Sequence, residues 1–130
     1  MILIGTSVWI DYFNGRANKH TDKLDDLLSM ELVIMGDIIL ADTLQGFRSN
    51  KDFKKAKELL GNLKCYVITN KTLAIQSAKN FRQMRKNGIA IRKTIDVLIG
   101  TFYIENDIQL LHIDRDFKPL EKLGLKSVFQ

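Results

Sequence analysis

Apolar residues fall along this chain in two rhythms. Short runs at residues 2–4, 32–35, 66–68, 110–113 and 126–129 are too brief for helices and read as strands buried in a sheet. Between them the spacing changes to the helical period. The clearest case is 71–86, where Leu73, Ala74, Ser77, Ala78, Phe81 and Met84 share one face, Asn70 supplies a cap and Asn87-Gly88 closes the segment. Further helices are expected at 7–14, with Thr6 and Ser7 as its cap, at 18–29 on a polar pattern, and at 37–47, 52–63 and 94–105, with a short turn at 115–122. Strands alternating with helices imply an α/β fold: a parallel sheet with helices on both faces.

In such a sheet ligands bind beyond the carboxyl ends of the strands, so those ends are where chemistry belongs. The first strand runs into Gly5, and the run Leu110-Leu111-His112-Ile113 ends at Asp114, followed by Arg115 and Asp116. Asp42 stands in IILADTLQG and Asp96 in TIDVLIG, each flanked by apolar residues. Carboxylates on such faces are seldom buried unless paired or bound to a cation. Each has an ordinary account: Asp96 as a helix-start carboxylate, Asp42 as one half of a salt bridge, Asp114 and Asp116 as a turn and helix cap. Three carboxylates converging from separate segments make sense mainly around a cation, and an all-oxygen set suits Mg²⁺ or Mn²⁺ rather than zinc. His20 and His112 lack ligand spacing, and neither a phosphate-binding glycine loop nor a nucleophile motif is present.

Composition narrows the setting. The 130 residues suit one domain, 1–130, and with 45% hydrophobic and 27% charged residues the composition is that of an ordinary soluble globular protein. The single cysteine, Cys65, lies in an apolar run and is expected to pack; with no bridge to form, it fits a reducing cytoplasm. No apolar stretch reaches the roughly 18 to 20 residues that span a bilayer, and no basic segment precedes the first strand, so no membrane or secretory role is expected. A net charge of +5 favours a polyanionic partner. The basic segments 51–57, 82–86 and 92–93 either follow a phosphate backbone or solvate helix faces. Trp9 and Phe47 are expected in the core rather than as base-stacking platforms.

The segments MILIGTSVWIDYF, DIILADTLQGFRSNKDFKKAKELL, IRKTIDVLIGTFYIEN and LLHIDRDFKPLEKLGL, in that order, resemble PIN-domain toxins of the VapC type, the ribonuclease halves of bacterial toxin-antitoxin pairs. The resemblance implies a three-layer α/β/α sandwich on a central parallel sheet. It also implies Mg²⁺- or Mn²⁺-dependent cleavage of RNA, transfer RNA in some relatives, together with homodimer formation and inhibition by a cognate VapB-like antitoxin. Carried over, Asp96 matches the third acidic residue of the family site and Asp114 the fourth. Asp42 occupies a position where relatives usually place Glu. Asp96 and Asp114 would hold the metal, Asp42 would act with them in catalysis, and Thr6, Ser7, Arg115 and Asp116 would position substrate or water, although capping explains Thr6 and Ser7 equally well.

The chain departs from the family at position 5. Relatives read I-D-T-S, whereas this chain reads Ile4-Gly5-Thr6-Ser7, so a metal-binding Asp is absent. The expectation is a folded protein with strongly reduced nuclease activity. Two other readings remain open: a catalytically silent PIN module that binds antitoxin or RNA without cleavage, and a small-molecule-binding α/β domain. The last wants an acidic pair after the first strand, which Gly5, Thr6 and Ser7 do not supply.

Overall fold

A computed structural model describes residues 1–90, 93–113 and 117–129. Strands β1 (Ile2–Ile4), β2 (Val33–Gly36), β3 (Cys65–Tyr66), β4 (Gln109–Leu111) and β5 (Lys126–Ser127) form one sheet in the order β3-β2-β1-β4-β5. Every pairing is parallel, with Ile2 opposite Val33 and Gln109, and Leu110 opposite Ser127. Helices α1 (Thr6–Phe13), α2 (Lys19–Ser29), α3 (Asp37–Leu44), α4 (Asn50–Gly61), α5 (Lys71–Lys86), α6 (Thr94–Asn106) and α7 (Lys118–Glu121) fill the connections. The result is the α/β/α sandwich expected from the alternating pattern. β1 and β2 are buried along their whole length, as strands covered on both faces must be.

The expected elements are present, with shifted ends that have local causes. α5 matches its expected span, and the Asn70 side chain accepts from the Leu73 N–H at 2.9 Å. Gly88, just past its end, has φ +74, a left-handed conformation that glycine adopts without strain. The strand expected at 66–68 ends at Tyr66 because the Ile68 N–H is taken by the Asp37 carboxylate at 2.9 Å instead of by a neighbouring strand. α3 stops at Leu44 rather than 47, where Gly46 and Phe47 tighten into bonds to the carbonyls of Thr43 and Leu44. α4 begins two residues early because Ser49 caps it, accepting from the Asp52 N–H at 3.0 Å. The expected turn at 115–122 is seen as α7; Arg115 itself lies outside the described residues.

Trp9 is fully buried and stacks on Phe13 at 6.0 Å, and Phe13 meets Phe47 edge-on at 5.4 Å, so both Trp9 and Phe47 serve the core as expected. Cys65 does not: it lies exposed on the edge strand β3, because only alternate residues of that two-residue strand can turn inward. Thr6 and Ser7 are not the cap of α1 either. Gly5 occupies the N-cap position, no side chain bonds there, and the Gly5 carbonyl accepts from Val8 and Trp9. Among the described residues no helix is long and apolar enough to cross a membrane.

Candidate functional site

Strand order decides where a site can form. From β1 the chain moves outward on one side to β2 and β3, then returns to place β4 and β5 on the other side of β1. The connections therefore diverge between β1 and β4 and leave a crevice at their carboxyl ends. Gly5 follows β1 there and His112 follows β4, the two strand ends being tied by the Gly5 N–H donating to the Leu111 carbonyl at 2.9 Å. A cavity of about 120 Å³ opens at this point, with Gly5, Thr6, Ser7, Asp42, Asp96 and His112 on its wall. Lys93, just before α6, lines it too, and Ile39, Ile99, Ile113 and Phe117 supply apolar surface.

Each carboxylate arrives by a separate route. Asp42 is carried by α3, the helix that leaves β2, and Asp96 by the first turn of α6, where it is 6% exposed. Asp42 makes no ion pair among the described residues, so the salt-bridge account of it is not borne out. Instead the Thr6 hydroxyl donates to its Oδ2 at 2.8 Å, and the Gln45 amide donates to its Oδ1 at 3.3 Å. The buried Thr43 hydroxyl lies 3.4 Å from Thr6 Oγ1. The hydroxyl at position 6 thus orients a carboxylate at the cavity, which explains why it does not cap α1.

Gly5 has φ −67 and ψ 151, an extended conformation open to any residue. A Cβ built there would lie 3.4 Å from His112 Cβ and 3.5 Å from the Leu111 carbonyl oxygen, ordinary van der Waals contact. Glycine is therefore not required by the turn. Gly36, at the end of β2, is a different case: its Cβ would collide with the buried Ile68 side chain.

The cavity thus gathers Gly5, Thr6, Ser7, Asp42 and Asp96, whereas Asp114, Arg115 and Asp116 lie outside the described residues. Among the described residues no three His, Cys, Asp or Glu side chains are grouped closely enough to hold a metal ion. Two carboxylates with hydroxyls beside them still suit a hard cation that keeps several waters, so the donor set fits Mg²⁺ or Mn²⁺ rather than a softer metal. Lys93 belongs to the basic segment 92–93 that the sequence offered for a phosphate backbone, whereas sequence reasoning missed His112. The signal for His112 was its place at the end of β4, matching that of Gly5 at the end of β1.

Asp37, outside the cavity, ties α3 to the segment after β3. Its Oδ1 accepts from the N–H groups of Ile38 and Ile68, both at 2.9 Å, and its Oδ2 from the Thr69 hydroxyl at 2.9 Å. Burial pushes this carboxyl up, but the bonds from Ile68, Thr69 and Ile38 outweigh it and hold the group below the usual carboxylate range.

The fold has known counterparts. The chain is 26% identical over 125 residues to a VapC ribonuclease of Mycobacterium bovis and to ribonuclease VapC11 of Mycobacterium tuberculosis, each alignment covering 95% of this chain and 93% of the relative. VapBC2 from Rickettsia felis, crystallised with a DNA fragment from its promoter, superimposes with a TM-score of 0.74 at 16% identity over 98% of this chain and 97% of that one. FitAB (FitAcB) from Neisseria gonorrhoeae superimposes with a TM-score of 0.71 at 17% identity, covering 98% of this chain and 96% of that one. The PIN domain profile matches residues 2–123, and with that match spanning nearly all of the sheet and the whole crevice, the chain belongs to the PIN domain family.

Proposed function

We propose that this chain is the toxin component of a VapBC-type toxin-antitoxin pair, a divalent-metal-dependent endoribonuclease impaired by Gly5. The observation that carries the reading is the meeting of Asp42 and Asp96 in one cavity at the divergence of β1 and β4, beside a glycine with room for a side chain. Asp96 and Asp114 are assigned as holders of Mg²⁺ or Mn²⁺, with Asp42, held by Thr6, acting beside them. Bound there, the cation supplies Lewis-acid polarisation of a phosphate oxygen and activation of the attacking water. The chain's own residues do the rest. Thr6 fixes Asp42, the apolar wall of Ile39, Ile99 and Phe117 limits water, and Lys93, with Ser7, is placed to meet phosphate oxygens.

A missing carboxylate in direct contact with the metal is expected to cost at least the roughly 10- to 100-fold that outer-shell losses cost around metals. The partners that follow are a cognate VapB-like antitoxin, an RNA substrate with transfer RNA as the first candidate, and a second copy of the chain, all in the cytoplasm. The relatives support the ribonuclease and antitoxin parts of this reading: the named homologues are VapC ribonucleases, and the solved neighbours include VapBC complexes.

Cleavage of host transfer RNA by the native chain and by Gly5→Asp, with Mg²⁺, Mn²⁺ or EDTA, tests the reading. Restoration is expected to raise the rate by at least about 100-fold, dependent on metal and silenced again by Asp96→Asn. The second reading, a silent PIN module that binds antitoxin or RNA, is favoured by the small number of carboxylates gathered among the described residues. It becomes the conclusion if Gly5→Asp folds, binds metal and leaves RNA intact.

A further inference from the structure

His112 sits on the cavity wall with its side chain 7% exposed, and its environment fixes more than its position. Its Nε2 lies 2.9 Å from the Ser127 hydroxyl, and the same hydroxyl donates to Glu121 Oε1 at 2.7 Å. A hydroxyl has one proton and a carboxylate only accepts, so Ser127, having given its proton to Glu121, must accept from His112. Nε2 therefore carries a proton. The ring also packs against Phe117 at a centroid distance of 5.1 Å, and the His20 ring bonds to the His112 backbone from α2.

We propose that Glu121 and Ser127 are positioning residues for the cavity, acting through the His112 ring. His112 is the residue a side chain at position 5 would meet first, since the closest atom to a Cβ built on Gly5 is His112 Cβ, the atom that carries the ring. In sequence His112 stands two residues before Asp114, which lies outside the described residues. A ring locked in one orientation with a proton held on Nε2 gives that wall a fixed shape. The lock reaches the site from β5 and α7, elements that contribute no carboxylate to the cavity. Its catalytic consequence rests on the nuclease reading; the lock itself does not.

The test compares Glu121→Gln, which keeps an acceptor for Ser127, with Glu121→Met, which removes it at similar size. Glu121 is partly exposed, so both variants are expected to fold. Nitrogen-15 NMR of the imidazoles, in solution mildly above neutral pH, is expected to show a single Nε2–H tautomer for His112 in the native chain and in Glu121→Gln. In Glu121→Met, Ser127 is released to donate back to Nε2, and a mixture is expected. In the Gly5→Asp background, Glu121→Met is expected to lower kcat about 10-fold with KM and melting temperature little changed, and to weaken Mn²⁺ binding by a similar factor, while Glu121→Gln stays near its parent. An Nδ1–H or mixed ring in the native chain would overturn the lock. An unchanged kcat and unchanged Mn²⁺ affinity in Glu121→Met would overturn its role at the site. If Gly5→Asp neither cuts RNA nor binds Mn²⁺, the nuclease reading has failed, and the positioning role falls with it while the tautomer still decides the lock.

Discussion

Filling position 5 separates three effects that the structure superimposes. Consider Gly5→Ala, Gly5→Asn and Gly5→Asp. Because the backbone at Gly5 is extended and a Cβ meets only ordinary contacts, alanine should fit without strain and stabilise the fold by about 0.4–1 kcal/mol through the lost freedom of the unfolded chain. Asparagine adds the shape of the missing side chain without its charge. Aspartate adds the charge, and at an effective dielectric constant near 20 a second carboxylate roughly 6 Å away repels it by about 3 kcal/mol, falling below about 1 kcal/mol if water screens the pair fully. In EDTA the Asp form should therefore be about 1–3 kcal/mol less stable than the Asn form, and no more stable than the native chain. Added metal should reverse this. A cation at ten times its dissociation constant stabilises the form that binds it by about 1.4 kcal/mol, and at a hundred times by about 2.7 kcal/mol. Urea unfolding of the four proteins, in EDTA and in Mg²⁺, reads every term. An Ala form less stable than native by more than about 1 kcal/mol would mean that glycine is needed at the turn. An Asp form as stable as the Asn form in EDTA would mean that the carboxylates are not gathered.

Two further outcomes follow from single contacts. Asp37, held below the usual carboxylate range, binds its proton less readily folded than unfolded; its contribution is complete above the unfolded pKa and is lost as pH falls through the lower folded value. Asp37→Ala should therefore destabilise by about 1–2 kcal/mol at neutral pH, with the difference shrinking in acid below the ordinary carboxylate range, as urea midpoints taken across pH will show. Gly36→Ala should cost about 1–3 kcal/mol, because Ile68 is fully buried and must shift to admit the methyl group, whereas the same change at exposed Gly61, with open space around it, should slightly stabilise; thermal unfolding of the pair distinguishes them.

Periodicity settled the elements, because a buried parallel strand and an amphipathic helix leave different spacings of apolar residues in the chain itself. The α5 span and its Asn70 cap could be read in advance because everything that fixes them lies within a few residues. The same holds for the two carboxylates, which stood out as charges in apolar helices before any fold was known. Ends of elements were less visible where a distant group competes for the backbone, as Asp37 does for the Ile68 N–H across 31 positions. Thr6 shows the limit most clearly. Its sequence neighbourhood is that of a helix cap, yet its hydroxyl is drawn to Asp42, 36 residues away, because the sheet order brings the start of α1 beside α3. Gly5 is the converse case. Sequence could mark it as a departure, but that the turn does not need glycine is a matter of φ, ψ and the open space beside His112, and only the tertiary structure holds those. The proton on His112 belongs there too, since it is fixed by a serine and a glutamate that meet the ring only when β5 closes the sheet edge beside β4.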